Sequence, residues 1–541
     1  MPAKPHTSFA THDVTNQPGL RTDRDLWADD PALRQAARLA DADKQALAKA
    51  GACLGSAEMW EHAEDARRDA PRLRVFDRAG RRCDEVAFHP GYHALLRAGM
   101  ELGYVAHAWK GQPGGHATHA AMVYFMAQVE PGVCCPLTMT YAAVAALRGS
   151  KLAESWVPRL TALAYDPAIE PIGRKHAATM GMAMTEKQGG SDVRTNTTTA
   201  TPQGDHYILR GHKWFCSAPM SDGFLTLAQA PGGLTCFLVP RWLDDGRNTI
   251  HLMRLKDKLG NRANASAEIE YHDATAFRLG EEGQGIKTII EMVHHTRLDT
   301  AMAPAGLMRA ALAEAYWWVA HRAAFQHRLI DQPLMRAVMA DLTLETDAAL
   351  ALGMGAARAF DGTSQADRAF ARISVALAKF ISNKRAPVMI VEAMECLGGM
   401  GYVEETPMPM LYREAPLNGI WEGSGNIICL DILRTLARDP LAAETLSARL
   451  NASTGLDRRF DATLRAHQDR WPALPAEAEA RWFAESAANL LAAAYLLELG
   501  NGAVAEGFIA TRLHGNRGHV LGSVSGIDID AICERLGMVD G

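Results

Sequence analysis

Helical periodicity runs through almost all of the 541 residues and is interrupted once, over residues 181–284. Before the interruption, apolar residues recur every three or four positions, as in residues 90–110, and the same spacing returns after it, as in residues 308–325. Within the interruption, short strand-like runs are separated by turn signals such as Pro-Gly-Gly at 231–233. This order predicts a mainly α-helical protein with one central β-domain.

The length and the changes of pattern predict four domains, since about 100–200 residues form an ordinary domain. We assign residues 1–180 to a polar N-terminal arm and a helical domain, and residues 181–284 to the β-domain. Residues 285–439 form a helical bundle. Pro440 marks the start of a further helical domain, residues 440–541, which contains a strong helix candidate at 480–499.

Composition excludes several classes of protein. The net charge of −6, from 56 Lys+Arg and 62 Asp+Glu, gives no global attraction to nucleic acid or anionic membranes. The nine cysteines contain no CxxC pair, and the first 20 residues lack the apolar core of a signal peptide, so we expect a cytoplasmic protein without a disulfide framework. We expect no metal site: the pairs His116/His119 and His294/His295 lack further ligands nearby and are predicted at a loop or helix surface.

Four motifs stand out by their order and spacing. They are MTEKQGGSDV at 184–193, GHKWFCS at 211–217, DKLGNR at 257–262, and the long segment 397–427 with LGGMGY, LYRE and IWEGSGNI. Each motif alone is explained equally well by an ordinary loop or strand. Together they resemble the acyl-CoA dehydrogenase family over residues 90–438, and its adaptive-response subgroup over nearly the whole chain.

This resemblance implies an N-terminal helical domain, a middle β-barrel, a C-terminal four-helix bundle and the extra helical domain. It also implies FAD bound between barrel and bundle, and oxidation of an acyl-CoA thioester between its α and β carbons. Glu422 matches the family's base, which removes the α proton; the alternative is an exposed glutamate at a helix start. Some members carry the base on the first bundle helix, where this chain has His295-Thr296-Arg297 and no carboxylate.

The resemblance also implies a set of FAD contacts. Arg322, Gly398 and Gly399 are expected to reach FAD from a neighbouring subunit, so the protein is expected to be a homo-oligomer, most simply a tetramer. The predicted cofactor-binding residues are Met182, Met184, Thr185, Gly189, Gly190, Ser191, Phe215, Cys216, Ser217, Arg322, Gly398, Gly399, Ile420, Trp421, Gly423, Ser424, Gly425 and Asn426.

The adaptive-response subgroup implies a role in the response to DNA alkylation, weak isovaleryl-CoA-like dehydrogenase activity, and double-stranded DNA binding through the C-terminal region. Residues 440–541 contain nine Arg, no Lys and 13 Asp+Glu, a net charge of 9 − 13 = −4, which does not favour DNA. An arginine stripe on a helix at 457–471 could still bind DNA, although interleaved aspartates also fit a solvated, ion-paired face. The alternative function is an ordinary catabolic acyl-CoA dehydrogenase without a DNA role. The candidate DNA contacts are Arg434, Arg458, Arg459, Arg465 and Arg470.

Overall fold

A computed structural model describes residues 5–21, 23–500 and 502–537. The N-terminal part is mainly helical, and its longest helices, α5 and α6, are buried along almost their whole length. Its elements are α1 Pro31–Leu39, α2 Lys44–Leu54, α3 Ala57–Arg68, β1 Arg72–Phe76, β2 Arg82–Ala87, α4 Pro90–Glu101, α5 Gly115–Val129, α6 Pro131–Leu147 and α7 Ala153–Leu160.

The hairpin of β1 and β2 was not predicted, because the sequence assigns this part of residues 1–180 to a helical domain. Among its apolar side chains Val86 is buried and the others are half-buried or exposed, so it lacks an apolar face long enough to reveal a strand. The hairpin is stabilised instead by tertiary contact with the barrel. Buried Asp84 accepts a hydrogen bond from the main-chain N–H of Leu252 at 2.9 Å and from Arg82 at 2.7 Å.

The central domain is a β-barrel, as predicted. Strands β10, β11, β5, β4, β6 and β3 are neighbours in that order, and β7 pairs with both β6 and β11, which closes the sheet. Strands β5 and β11 are antiparallel, from Tyr207 opposite Ala276 to Ser217 opposite Ser266. The strands are β3 Met180–Ala183, β4 Thr199–Gln203, β5 His206–Ser217, β6 Gly223–Ala230, β7 Gly233–Pro240, β8 Trp242–Leu243, β9 Gly246–Arg247, β10 Ile250–Leu255 and β11 Ser266–Leu279.

A bundle of long helices follows the barrel and packs on α5 and α6. Helices α8, α9, α10 and α12 form its four members, which confirms the predicted fold class. Helix α10 begins at a capping box in which Ser364 and Asp367 satisfy each other's main-chain N–H. The elements are α8 Gly285–His321, β12 Ala323–Ala324, β13 His327–Arg328, α9 Pro333–Asp361, α10 Gln365–Cys396, α11 Met408–Glu414 and α12 Gly425–Arg438.

Within residues 440–500 and 502–537, five further helices follow the bundle, with a π-helical turn at Ile509–Leu513. This region is attached to α9 by buried ion pairs: Arg512 pairs with Asp341 and, at 2.8 Å, with Glu345. In the part of the chain that the structure describes, no helix has the length and apolar character to cross a membrane. The helices are α13 Pro440–Asn451, α14 Arg458–Arg470, α15 Ala480–Leu499, α16 Gly502–Phe508 and α17 Ile529–Gly537.

The prediction that His116 and His119 lie at a surface is wrong, because both are buried in α5. His119 lies between two acceptors, the carbonyl oxygen of Tyr104 at 2.6 Å and the carboxylate of Asp299 at 2.7 Å. Among the described residues, no group of three or more His, Cys, Asp or Glu is arranged to hold a metal ion. These histidines therefore belong to a polar network within the helical core.

Candidate active site

Glu422 lies in a short loop between a 3₁₀ turn at Leu417–Gly419 and the start of α12. Its φ is +56°, and the next residue, Gly423, has φ +101°. A side chain other than glycine in this left-handed region costs about 1–2 kcal/mol, so surrounding contacts must hold the loop. The loop thus presents a carboxylate in a conformation that it would not adopt alone.

Two cations from different bundle helices hold three consecutive carbonyl oxygens of this loop. Lys379 on α10 donates to the carbonyl oxygens of Trp421 and Gly423, both at 2.8 Å. Arg297 on α8 donates to the carbonyl oxygen of Glu422 at 3.4 Å and pairs with Asp431 on α12 at 2.6 Å. The base position is therefore tied to α8, α10 and α12 together.

Burial raises the pKa of Glu422 above its ordinary value. A hydrogen bond from Thr296 and the positive charges of Lys379 and Arg297 oppose this rise. A carboxylate with a raised pKa is a stronger base than an exposed one. Glu422 therefore has the electrostatic environment that a general base requires.

The carboxylate of Glu422 lies near residues from the helical domain and the barrel. Burial raises the pKa of Cys135, on α6, to about 12. Lys258 and a hydrogen bond from Ser217, at the end of β5, lower it, whereas the charge of Glu422 raises it further. Since these groups all act on one thiol, the three domains meet around this position.

The chain's residues fit FAD beside Glu422. Two large apolar side chains of the predicted cofactor set are exposed: Phe215, on β5, at 46% and Ile420, two residues before Glu422, at 65%. Gly189 has open space at the position of a side chain, and Ser191 is exposed in the same loop. A flat aromatic ring system needs apolar surfaces of this kind, and a phosphate needs close approach to main-chain N–H groups.

The loop that begins with Met184 and Thr185 is held by close packing between its own residues. Gly190 packs so closely on Thr185 that a β-carbon would lie 2.4 Å from its hydroxyl. Met182, on β3, and Met184 are both half-buried. By contrast, the side chain of Cys216 is fully buried in the barrel core, so only its main chain can contact a cofactor.

The N-terminus of α12 gathers positive charge. A β-carbon on Gly425 would lie 3.1 Å from the Nζ of Lys384 and 3.5 Å from a guanidinium nitrogen of Arg481. Arg481, on α15, also donates to the side chain of Asn426 at 2.9 Å. With Ser424 exposed as the N-cap, the helix start and two cations suit an anionic group such as a phosphate. Trp421 is half-buried and donates to Asn418 at 2.7 Å.

Arg322 and the pair Gly398-Gly399 lie far from Glu422 within one chain. Arg322 follows the last residue of α8, 25 residues after Arg297, which corresponds to roughly 37 Å along the helix. Gly398 follows α10, 19 residues after Lys379, or roughly 28 Å. Arg322 instead donates to the carbonyl oxygen of Asn16 at 2.8 Å, in the N-terminal arm. The structure does not bring these residues to the site of the same chain, and their contact across subunits stays a prediction.

Comparison with known proteins identifies the family. Residues 16–167 match the model of the adaptive response protein AidB N-terminal domain, residues 181–274 that of the acyl-CoA dehydrogenase middle domain, and residues 283–437 that of its C-terminal domain. The chain is 44% identical to AidB of Escherichia coli (strain K12) over 471 residues, which cover 85% of this chain and 87% of the relative. The chain belongs to the acyl-CoA dehydrogenase family. The enzymes of this family depend on FAD.

Solved structures of the family share the fold. The Caenorhabditis elegans protein ACDH-11, in complex with C11-CoA, superposes with a TM-score of 0.83 at 26% identity, over 94% of this chain and 93% of that one. An acyl-CoA dehydrogenase from Bacillus anthracis, complexed with FAD, gives a TM-score of 0.64 at 17% identity, over 89% and 91%. The second likeness concerns the fold alone.

Sequence reasoning missed several residues of the site. Lys258 lies in the DKLGNR motif and Cys135 lies in α6, and the sequence pattern around neither residue predicts a role in the site. Lys379 stands within an apolar helical run, where a lysine on the buried face is a signal that a partner must exist, because an unpaired buried charge is costly. That signal could have pointed to the bundle, but not to the loop that Lys379 binds.

Proposed function

We propose that the protein is an AidB-type flavoprotein that oxidises an acyl-CoA thioester between its α and β carbons, with Glu422 as the base. The observation that carries this proposal is the Glu422 loop. It holds a carboxylate of raised pKa at the meeting point of barrel, bundle and helical domain, beside exposed apolar side chains that fit a flavin ring.

In this proposal, Glu422 accepts the proton from the α carbon of the bound thioester. FAD, when bound, supplies the acceptor for the hydride that leaves the β carbon. Phe215, Met184 and Thr185 would hold its ring system, and the loop Gly189–Ser191 with the start of α12 would hold its phosphates. Arg297 would keep the Glu422 main chain in place while the proton moves.

The substrate class that we propose is an acyl-CoA. The related ACDH-11 was solved with C11-CoA, and the resemblance to the AidB subgroup favours a short branched chain such as isovaleryl-CoA with weak turnover. Acyl-CoAs of both kinds therefore belong in one panel. A purified FAD-loaded protein should lose its visible flavin absorbance under anaerobic conditions with at least one member of that panel.

The Glu422→Gln variant tests the base. It keeps the size of the side chain but removes the proton acceptor, and we expect the bleaching rate to fall about 100- to 10,000-fold. Glu444→Gln, an exposed position on α13, is the matched control and should bleach as the wild type does. Equal bleaching by Glu422→Gln would exclude Glu422 as the base, and a protein that stays colourless after addition of FAD would exclude the whole proposal.

A homotetramer is part of this proposal. Arg322 and Gly398 lie too far from Glu422 in their own chain, so they can contact FAD only if a second copy brings them there. Sedimentation of the FAD-loaded protein should give four chains, and Arg322→Ala should weaken FAD retention without changing the visible flavin spectrum of the bound fraction. A monomer that retains FAD would contradict this assembly.

We further propose a DNA-associated role in the response to alkylation, which the likeness to E. coli AidB supports. Of the five candidate arginines, Arg458 and Arg465 lie two turns apart on an exposed face of α14, and neither has an ion-pair partner among the described residues. Arg434 is 57% exposed, with Asp431 at 3.9 Å. By contrast, Arg459 pairs with Asp457 at 2.6 Å and Arg470 with Glu479 at 3.0 Å.

A salt-dependent gel shift on duplex DNA tests this role. If Arg434, Arg458 and Arg465 each neutralise a phosphate, replacing all three with Gln should lower the slope of log K against log salt by about 3. Replacing Arg459 and Arg470 is the matched control and should change the slope less. If the wild type does not bind duplex DNA at low salt, the catabolic alternative without a DNA role holds.

A further inference from the structure

Lys379 is a buried lysine that contacts the loop carrying Glu422. Among the described residues it forms no ion pair with an acidic side chain. Its exposed fraction is 2%, and its Nζ donates to the carbonyl oxygens of Asn418 at 3.0 Å, Trp421 at 2.8 Å and Gly423 at 2.8 Å. Two of these three acceptors directly flank Glu422. We propose that Lys379 is a positioning residue, which fixes the main chain on both sides of Glu422 and thereby aims its carboxylate; this rests on the proposed role of Glu422.

The three contacts match the ammonium form of the side chain. A protonated lysine has three N–H donors and no acceptor, and here each donor meets one carbonyl oxygen. A neutral amine has only two N–H donors and would leave one buried carbonyl oxygen without a partner. The loop geometry therefore matches the charged form of Lys379, and the neutral form would lose one of the three contacts.

Two other buried lysines show what is particular about this site. Lys213 lies 2.8 Å from the carboxylate of Glu186, and Lys175 lies 2.6 Å from that of Asp222. Lys379 has no carboxylate within 4.0 Å anywhere in residues 5–21, 23–500 and 502–537. Its positive charge interacts with the carbonyl dipoles of the loop and lowers the pKa of Glu422.

The consequence for Glu422 is conformational as well as electrostatic. Its φ of +56° is an unfavourable geometry for a residue with a side chain. The carbonyl groups on either side can turn only if they leave Lys379, which would bury them without a partner. Removing the ammonium group should therefore let the loop relax and move the carboxylate away from the α carbon.

Several charges face Lys379. Burial lowers the pKa of Lys379 to about 7, the carboxylate of Glu422 raises it, and Arg297 and Lys384 lower it. Asp431 faces this group indirectly, through its ion pair with Arg297. Conversely, the charge of Lys379 lowers the pKa of Glu422. The two groups therefore influence each other's protonation as well as sharing a loop.

Hydrogen exchange of the FAD-loaded protein tests the positioning role without measuring turnover. In Lys379→Met, the amides of residues 419–425 should exchange at least about 10-fold faster. Loss of one buried contact lowers the free energy of local opening, and the expected loss corresponds to about a tenfold change in exchange rate. Lys379→Arg keeps the charge and donors and should restore part of the protection. Lys175→Met, which also removes a buried lysine bound to carbonyl oxygens, is the matched control and should leave these amides unchanged.

The pH dependence of flavin bleaching separates positioning from a general loss of stability. In Lys379→Met, we expect bleaching about 100-fold slower, since a misplacement of about 1 Å has this effect. The acid limb of the rate profile should also move to higher pH, because the cation that lowers the pKa of Glu422 is gone. A general structural defect, as expected in Lys175→Met, would lower the folded fraction but leave the limb in place.

The outcomes keep this inference distinct from the proposed function. If none of the acyl-CoAs bleaches the flavin of the wild type, the proposed function fails. The hydrogen exchange of residues 419–425 still decides whether Lys379 fixes the loop. If the wild type bleaches, and Lys379→Met leaves both the exchange and the acid limb unchanged, Lys379 is not a positioning residue. If Lys379→Met is unfolded, the same two readouts on Lys379→Gln, which keeps a polar side chain but removes the ammonium group, decide.

Discussion

The barrel and the bundle each bury a lysine beside a glutamate, but the two pairs are built differently. In the barrel, Lys213 binds Glu186 directly at 2.8 Å, and both side chains are fully buried. In the bundle, Lys379 binds the main chain around Glu422, and among the described residues the carboxylate itself has no ion-pair partner. The first arrangement neutralises a charge, whereas the second holds a charge in place and keeps it available.

The pKa values of the two glutamates follow this difference. Although burial opposes it, the charge and hydrogen bond of Lys213 hold the pKa of Glu186 at about 2. Burial raises the pKa of Glu422, and its more distant cations only moderate that rise. A carboxylate bound like Glu186 stabilises a fold but is a poor base, and this difference supports the proposal that Glu422 is the base.

The largest expected effect separates the two carboxylates by activity. Glu422→Gln should slow flavin bleaching about 1,000-fold or more, within the range for loss of a general base, with a small change in melting temperature. Glu186→Gln should have the opposite profile, a lower melting temperature with bleaching by the folded fraction retained. Parallel stopped-flow and thermal measurements check this. Similar changes in bleaching rate and melting temperature for both variants would contradict the distinction between the two glutamates.

The next effect concerns stability. Lys213→Met leaves Glu186 buried without its cation, which should lower the free energy of unfolding by about 3–5 kcal/mol. Urea unfolding at pH 7 measures the loss, with exposed Lys287→Met on α8 as the control, for which we expect no change. A loss below about 1 kcal/mol would show that the barrel pair does not stabilise the domain more than a surface pair does.

Much of this contrast lies beyond what the sequence could predict. The four strand runs and the long helices follow from periodicity, and Glu422 follows from its motif. The hairpin at 72–87 does not, because its stability comes from Asp84 and the barrel rather than from its own pattern. The contacts of Lys213 and Lys379 cannot be predicted for a related reason. They join residues that are 27 and 42 positions apart in the chain, and local sequence patterns do not show which distant residues meet.

A smaller effect is the pH dependence of the barrel pair. Because the folded-state pKa of Glu186 is lowered to about 2 from 4.5, its contribution to stability is present above about pH 4.5 and is lost as the pH falls toward 2. The difference in urea midpoint between the wild type and Glu186→Gln should therefore shrink between pH 6 and pH 3. A difference that stays constant over this range would mean that folding does not lower the pKa of Glu186.

The smallest effect concerns the arginines of α14. Arg459 and Arg470 form ion pairs, whereas Arg458 and Arg465 have none among the described residues. Arg458→Gln with Arg465→Gln should weaken duplex binding at low salt by less than about 10-fold, since each removes one phosphate contact at most. The melting temperature should not change, because neither side chain has a hydrogen-bond or ion-pair partner in the part of the chain that the structure describes. A gel shift with the double variant checks this, and a large loss of stability would show that these arginines are structural.

Exchange of the α proton is the most direct test of Glu422, because it needs no net oxidation. The FAD-loaded wild type, incubated in D₂O with an acyl-CoA that it binds, should incorporate deuterium at the α carbon, as measured by mass spectrometry. Glu422→Gln should incorporate it about 1,000-fold more slowly while still binding the ligand. Equal incorporation by the two proteins would contradict the claim that this loop presents the base.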